Sequence, residues 1–301
     1  MHGGDPTVTF EGRASAAGPS ATRTTGLLVT ERLWPVLPAL ACTGVFIAGL
    51  GSLLIDSLTA GTEGTWSLRH YHRFLSDPFY LGYLTRSIRV ALVTTVGALL
   101  IGYPMAYWMS HGSATVRRSL SLLLVFQFFT VTVTKVYALL LVLGNNGLIN
   151  RVVSALGLLQ EPIPLANHET GVVIGLVAVA LPFGVFPIFS TMMGLRTSLE
   201  EAASTLGAVR AVVFWRIVFP LSLPGVLAST VLVFLYSLGA LLTPALVGGG
   251  FVDLIAGFTY EQALLLSNPG FAAAGAAVTL LAAVLVVFAL QVVYHRLRRD
   301  A

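Results

Sequence analysis

Side chains able to do acid–base, nucleophilic or metal chemistry are few in this 301-residue chain, and nothing in their spacing makes them converge. His2, His70, His72, His111, His168 and His295 are scattered, and HExxH, CxxC and GxSxG are all absent. That removes the helix-borne zinc site, the dithiol pair and the nucleophile elbow. Cys42 is the single cysteine, so no intrachain disulfide or cysteine metal cluster can form. Lys135 is the single lysine, in TVTKVYA with no glycine near it. A phosphate-cradling GxxxxGK[ST] loop is therefore missing, and the chain cannot hold ATP by that device. The expectation is a chain with no catalytic residues, no metal ligands and no cofactor of its own.

One segment does carry a pattern: SLEEAASTLGAVRAVVFWRIVFPLSLPG, residues 198–225. Ser198 followed by Glu201 fits a capping box, which predicts a helix start there. At 3.6 residues per turn Leu199, Ala202, Ala203 and Leu206 share one face, and Glu200, Glu201, Ser204 and Thr205 the other. Gly207 can take the left-handed conformation that ends a helix. A second helix is expected through Ile217, stopped by Pro220 and Pro224. A DNA-reading helix pair has the same outline, but the second helix, AVVFWRIVF, is almost wholly apolar with Arg216 its one interior base, so it cannot read a major groove. No nucleic-acid partner is expected.

The elements that must position this segment follow from composition. The chain is 56% hydrophobic and 10% charged, against about 25% charged in an ordinary soluble domain. Six apolar runs are long enough to cross a bilayer at roughly 20 residues each: about 33–57, 88–110, 119–143, 172–195, 225–247 and 271–294. The first begins too late and runs too long for a cleaved signal peptide. Pro35, Pro38, Pro182, Pro187 and Pro244 fall in or beside these runs, where neighbouring helices can satisfy the carbonyls they free. Residues 1–30, rich in Gly, Thr, Ser and Ala, read as a disordered tail, residues 31–295 as one transmembrane domain, and 296–301 as a C-terminal tail.

With the N-terminus inside, inner segments hold eleven arginines and outer segments five, the outer ones being Arg69, Arg73, Arg86, Arg89 and Arg151. The positive-inside bias thus places both termini in the cytoplasm. In the outer loop 147–159, Leu148, Ile149, Val152, Val153 and Leu156 recur opposite Asn150, Arg151 and Ser154, which suits a short helix at the interface or a packing element. Residues 253–267 read as a similar helix or a re-entrant turn. The spans lack ionisable groups apart from Asp56 at an outer end and Lys135, which argues against proton coupling. Lys135 reads as an anchor snorkelling to the outer interface or, less readily, as a pathway residue.

Glu201-Ala202-Ala203, three residues, Gly207, nine residues, Ile217, one residue, Phe219-Pro220 resembles the EAA loop of binding-protein-dependent ABC importer permeases, with Phe219 where that family usually has Leu. The stretches SDPFYLGYLTRSIRVALVTTVGALLIGYPMAYWMS, KVYALLLVLGNNGLINRVVSALGL and LGALLTPALVGGG extend the resemblance over roughly residues 70–295, to the spermidine/putrescine type. The resemblance implies an all-α polytopic membrane protein of about six spans with the type I ABC importer permease fold, in a bacterial inner membrane. It implies that loop 196–224 carries a coupling helix docked on an ATPase, with Glu201, Ala202, Ala203, Gly207, Ile217 and Pro220 as its residues. It further implies two ATP-binding subunits carrying ATP and Mg, a second permease subunit, identical or homologous, and a solute-binding protein outside. In that type a basic residue precedes the Tyr of the third span, which Lys135 and Tyr137 match. An acid usually follows the Gly of the fifth span, whereas Ala240 follows Gly239 here. Pathway contacts are expected at Lys135, Tyr137, Tyr236, Gly239, Thr243 and Pro244. The competing expectation is a self-contained channel or scaffold with the loop as packing.

Overall fold

The computed structural model describes residues 36–60, 65–157, 162–194, 202–203, 205 and 207–299. The tail 1–30, Ser198 and Glu201 therefore lie outside the described residues, and so does the capping box. The chain divides into two compact units, the first ending at Ser52 and the second beginning at Leu53. Six helices among the described residues are long and apolar enough to span a membrane. A two-residue antiparallel pairing, Thr59–Ala60 with Thr65–Trp66, is the only strand structure among them.

In the first unit the chain is helical from Val36, and side chains 38–50 are exposed on every side of the helix, which suits a surface solvated by lipid. The helix ends at Leu58.

The second unit is built around three helices: α3 (Pro78–His111), α7 (Glu169–Met193) and α8 (Arg210–Leu238). Helix α3 begins ten residues before the apolar run that announced it. Asp77 accepts the Phe79 N–H at 2.9 Å and Pro78 occupies the first turn, a start signal that overrides the mixed polarity of residues 78–87. Its 34 residues extend about 51 Å at 1.5 Å per residue, against about 30 Å of hydrocarbon. Much of the Arg86 and Arg89 end therefore stands clear of the bilayer, where Arg89 pairs with Glu169 of α7 at 2.5 Å.

The three helices meet at Ala98, Ala180 and Val233, all buried. Close approach needs small residues in lipid, where packing replaces the hydrophobic drive between helices. At Gly225 an added Cβ would lie 2.8 Å from the Pro187 carbonyl oxygen, so only glycine fits. Polar side chains tie the same layer: Ser229 donates to the Gly184 carbonyl at 2.7 Å, and the Tyr103 and Ser222 hydroxyls are 3.0 Å apart.

The third span corrects the expected run 119–143. That run is divided between α4 (Ala114–Phe129) and α5 (Thr132–Leu143), parted at Thr130–Val131, and the segment long and apolar enough to span is Thr132–Ala155. The sequence there is Thr-Val-Thr-Val-Thr, five β-branched residues in a row, whose stiff side chains disfavour the helix. Thr130 has extended backbone and turns its hydroxyl onto the Phe126 carbonyl at 2.7 Å.

The fifth span also differs. Pro220 and Pro224 stop nothing, because α8 runs unbroken from Arg210 to Leu238. A π turn at Phe214–Val218 adds a residue to the helix just before Pro220, with the Phe219 N–H reaching back to Phe214, so the helix re-phases around the missing donors. The break comes later, at residues 239–241, before the short α9 (Leu242–Val247).

The short outer helix α6 (Leu148–Ala155) forms as expected, with Ile149 packed on a buried cluster and Arg151 and Ser154 exposed, and one polar residue departs from the pattern. Leu148 and Val152 are exposed, and Asn150 is buried, 4% accessible. Its amide donates to the Gly144 and Ile163 carbonyls at 3.1 Å each and accepts the Ile163 N–H at 2.8 Å. These three bonds tie the helix to the backbone on both sides of it and account for the burial of a polar side chain. Residues 255–260 are helical and continue as a π turn to Leu265, and the Ile255 N–H is capped by the Ser87 hydroxyl of α3 at 2.8 Å. The last helix, α11 (Pro269–Arg299), runs through Arg296 rather than ending before it.

Candidate functional site

The turn after Ala202–Ala203 is closed by a left-handed glycine. Gly207 has φ +82°, and the Ala208 N–H returns to the Ala203 carbonyl at 3.1 Å. That six-to-one bond is the Schellman closure, and it needs a residue without a Cβ at the left-handed position. Ala203 packs on a buried cluster that includes Met109, Met192, Val213 and Val218, and Ile217 touches the same cluster from the π turn. Ala202 is exposed. Ala203 thus lets the turn sit close on its own support, and Ala202 faces outward. Pro220 lies inside α8, in the first turn after the π segment.

At the other end of α8 the break opens on a cavity of about 450 Å³ lined by Thr132, Leu235, Tyr236, Gly239, Leu242 and Thr243, among others. Tyr236, Gly239 and Thr243 therefore come together on one wall. Pro244, the fourth fifth-span residue singled out, is buried and is not among the residues that line the cavity. The Tyr236 ring stacks on Phe183 with centroids 5.1 Å apart, and Phe183 in turn meets Phe128 at 5.5 Å.

Lys135 and Tyr137 are not part of that cavity wall. The Lys135 ammonium donates to the Gln127 carbonyl at 3.1 Å, in the last turn of α4. Instead of snorkelling outward, it caps a helix C-terminus, where the macrodipole favours a cation. Tyr137 is 56% exposed. Gln127 was not singled out from sequence, yet its side-chain amide donates to the Ala178 carbonyl, the group that Pro182 deprives of its N–H four residues on. A polar residue near the end of an apolar run, facing a proline-bearing span, is the signal that could have found it.

The fold matches a bacterial ABC transporter that imports alginate with a TM-score of 0.68, at 18% identity, covering 91% of this chain and 99% of the other. It matches the MetNI methionine ABC transporter with a TM-score of 0.53, at 15% identity, over 73% of this chain and 94% of that one. Residues 98–299 match the family described as binding-protein-dependent transport system inner membrane component. The spermidine/putrescine transport system permease protein PotB of Escherichia coli is 34% identical over 248 residues, 82% of this chain and 89% of that protein. The molybdenum transport system permease protein ModB of Mycobacterium bovis is 31% identical over 206 residues, covering 68% and 73%. The chain belongs to the binding-protein-dependent family and is a multi-pass inner-membrane permease of an ABC importer. As such it is a non-catalytic transport permease subunit of a binding-protein-dependent system. Relatives bearing such different solute names, at similar identity, fix the family without fixing the solute.

Proposed function

We propose that this chain forms half of the pathway of a polyamine-class importer, moving solute by alternating access when ATP and Mg close two partner ATP-binding subunits. The observation that carries the reading is a single helix joining two functional ends. Helix α8, 29 residues long and so about 43 Å at 1.5 Å per residue, starts three residues after Gly207 and ends at the Tyr236–Thr243 cavity. A push on the turn would be delivered at the cavity by a rod that its prolines do not interrupt. The residues 199–207 would be the helix docked on the ATPase, with Glu201 in contact with it. The second pathway half would come from another permease chain, identical or homologous. Both termini and the 196–224 segment would face the cytoplasm, consistent with the arginine distribution. The solute class rests on the likeness to PotB over most of both chains.

The test is uptake of labelled spermidine by proteoliposomes containing this chain with its partner permease, ATP-binding subunits and binding protein. ATP-dependent accumulation is expected, and a complex that hydrolyses ATP with its binding protein while accumulating no spermidine would overturn the solute class. For orientation, Ser198→Cys and Ser267→Cys in a Cys42→Ser background are expected to differ toward an impermeant thiol reagent. Labelling of position 198 from outside intact cells contradicts the topology.

A further inference from the structure

The pathway residues include no carboxylate for a cationic solute, yet the break in the fifth span offers backbone carbonyl acceptors instead. Helix α8 stops at Leu238, and α9 starts at Leu242. Among the described residues no backbone N–H reaches the carbonyl oxygens of Tyr236, Leu238, Gly239 or Ala240. The cause is local chemistry. The Ala240 N–H bonds to Ser237 instead of Tyr236, and Pro244 has no N–H to offer Ala240. The buried Ser237 hydroxyl beside them also has no partner. Unpaired carbonyls at a helix C-terminus carry the negative end of its dipole, about half an elementary charge. In a membrane, such groups persist only where they line a cavity or meet protein.

Two cavities flank this break. The one of about 450 Å³ is lined by Tyr236, Gly239 and Ala240, and a second of about 490 Å³ by Leu238, Gly239 and Thr259 among others. No charged side chain lines either one. Gly239 faces both, and a glycine has only backbone to present. Its glycine identity answers no steric need: φ is −87°, and an added Cβ would meet only the Leu235 carbonyl, at 3.6 Å. What a side chain there would do is cover the carbonyls.

We infer that the unpaired carbonyls of Tyr236, Leu238, Gly239 and Ala240 form a transit site for an alkylammonium group, doing the work of an absent carboxylate. Carbonyl oxygens accept N–H donors, and the helix end favours positive charge. Backbone carbonyls can replace the hydration of a cation crossing a membrane while holding it weakly enough to release it. The inference rests on the polyamine-class reading and specifies how this chain meets the charge.

The experiment measures spermidine uptake by the full reconstituted complex, with the amount of assembled complex in each preparation as the control. Pro244→Ala returns an N–H to the Ala240 carbonyl, and Gly239→Ala shields the break with a methyl group that fits. Each is expected to lower uptake at least about fivefold, as removal of good hydrogen-bond acceptors for a charged donor does. Adding Ala240→Asp to the Pro244→Ala protein supplies the missing negative charge, and recovery of at least half the lost uptake is expected. A loss caused merely by altered packing would not recover. If wild type moves spermidine and both variants match it, or if Ala240→Asp restores nothing, the carbonyl site is wrong and the polyamine reading stands. If wild type moves no amine, both fall together.

Discussion

Pro182 and Pro244 each strip a backbone N–H from a membrane helix, and the chain treats the two losses in opposite ways. The carbonyl freed by Pro182 belongs to Ala178, and Gln127 reaches across from α4 to bond it. The carbonyl freed by Pro244 belongs to Ala240, and nothing among the described residues bonds it. Pro224, in the same span as the open break, causes no interruption because the π turn at 214–218 has already re-phased the helix. An unpaired polar group in hydrocarbon costs several kcal/mol. A fold that repairs one such group with a dedicated side chain and leaves another open on a cavity marks the second as working surface and the first as scaffold.

That contrast can be broken at the driven end, at the open break and at the repaired one. The largest effect is expected where force enters. Gly207→Val forbids the left-handed closure, and Ala203→Trp cannot sit on the Met109–Met192 cluster, so both are expected to insert in the membrane yet abolish solute-stimulated ATP hydrolysis in the reconstituted complex. Near-normal stimulation in both would detach the turn from the cavity. At the open break, Tyr236→Ala with Thr243→Val removes side chains from the cavity wall and is expected to cut spermidine uptake about tenfold, equivalent to ~1.4 kcal/mol. Unchanged affinity and rate would move the pathway elsewhere.

At the repaired break, Gln127→Leu leaves the Ala178 carbonyl orphaned and is expected to lower the stability of the purified complex by about 1–3 kcal/mol, read from thermal unfolding in detergent. Its uptake per assembled complex should fall far less than that of the cavity double mutant. The smallest effect belongs to Pro224→Ala, expected within about 1 kcal/mol in the same melt because the helix there is already continuous. A large loss of uptake in Pro224→Ala would mean that this proline, too, marks working surface.

That there are six spans was legible because hydropathy over some 20 residues reports composition, which lipid enforces, although the third lies later than its apolar run suggested. Hydrogen-bond continuity is a finer property, and composition does not carry it. Residues 210–219 were read as a separate helix stopped by Pro220 and Pro224, for want of any signal for a π turn, so the fifth span was expected to start fifteen residues late. The break at Thr130–Val131 did leave a signal, the β-branched run, but a hydropathy window averages it away. At residues 148–155 the helical periodicity was legible, whereas the burial of Asn150 was not, because its partners are backbone groups before and after the helix. The glycine closure at Gly207 was legible because left-handed backbone restricts residue type directly. Lys135 was legible as a charge in the wrong solvent, whereas its partner is a backbone carbonyl, which sequence cannot point to.

The central claim is that the Ala202–Gly207 turn receives force from an ATPase and that α8 carries it to the cavity. The most direct measurement is site-directed cross-linking of Ala203→Cys and Ala202→Cys, each in a Cys42→Ser background, to the ATP-binding subunit of the assembled complex. Position 202, exposed on the turn, should cross-link to that subunit with a yield that changes when ATP is bound, and position 203, packed on its own chain, should cross-link far less. Equal absence of cross-links at both positions in an assembled, transporting complex would contradict the account.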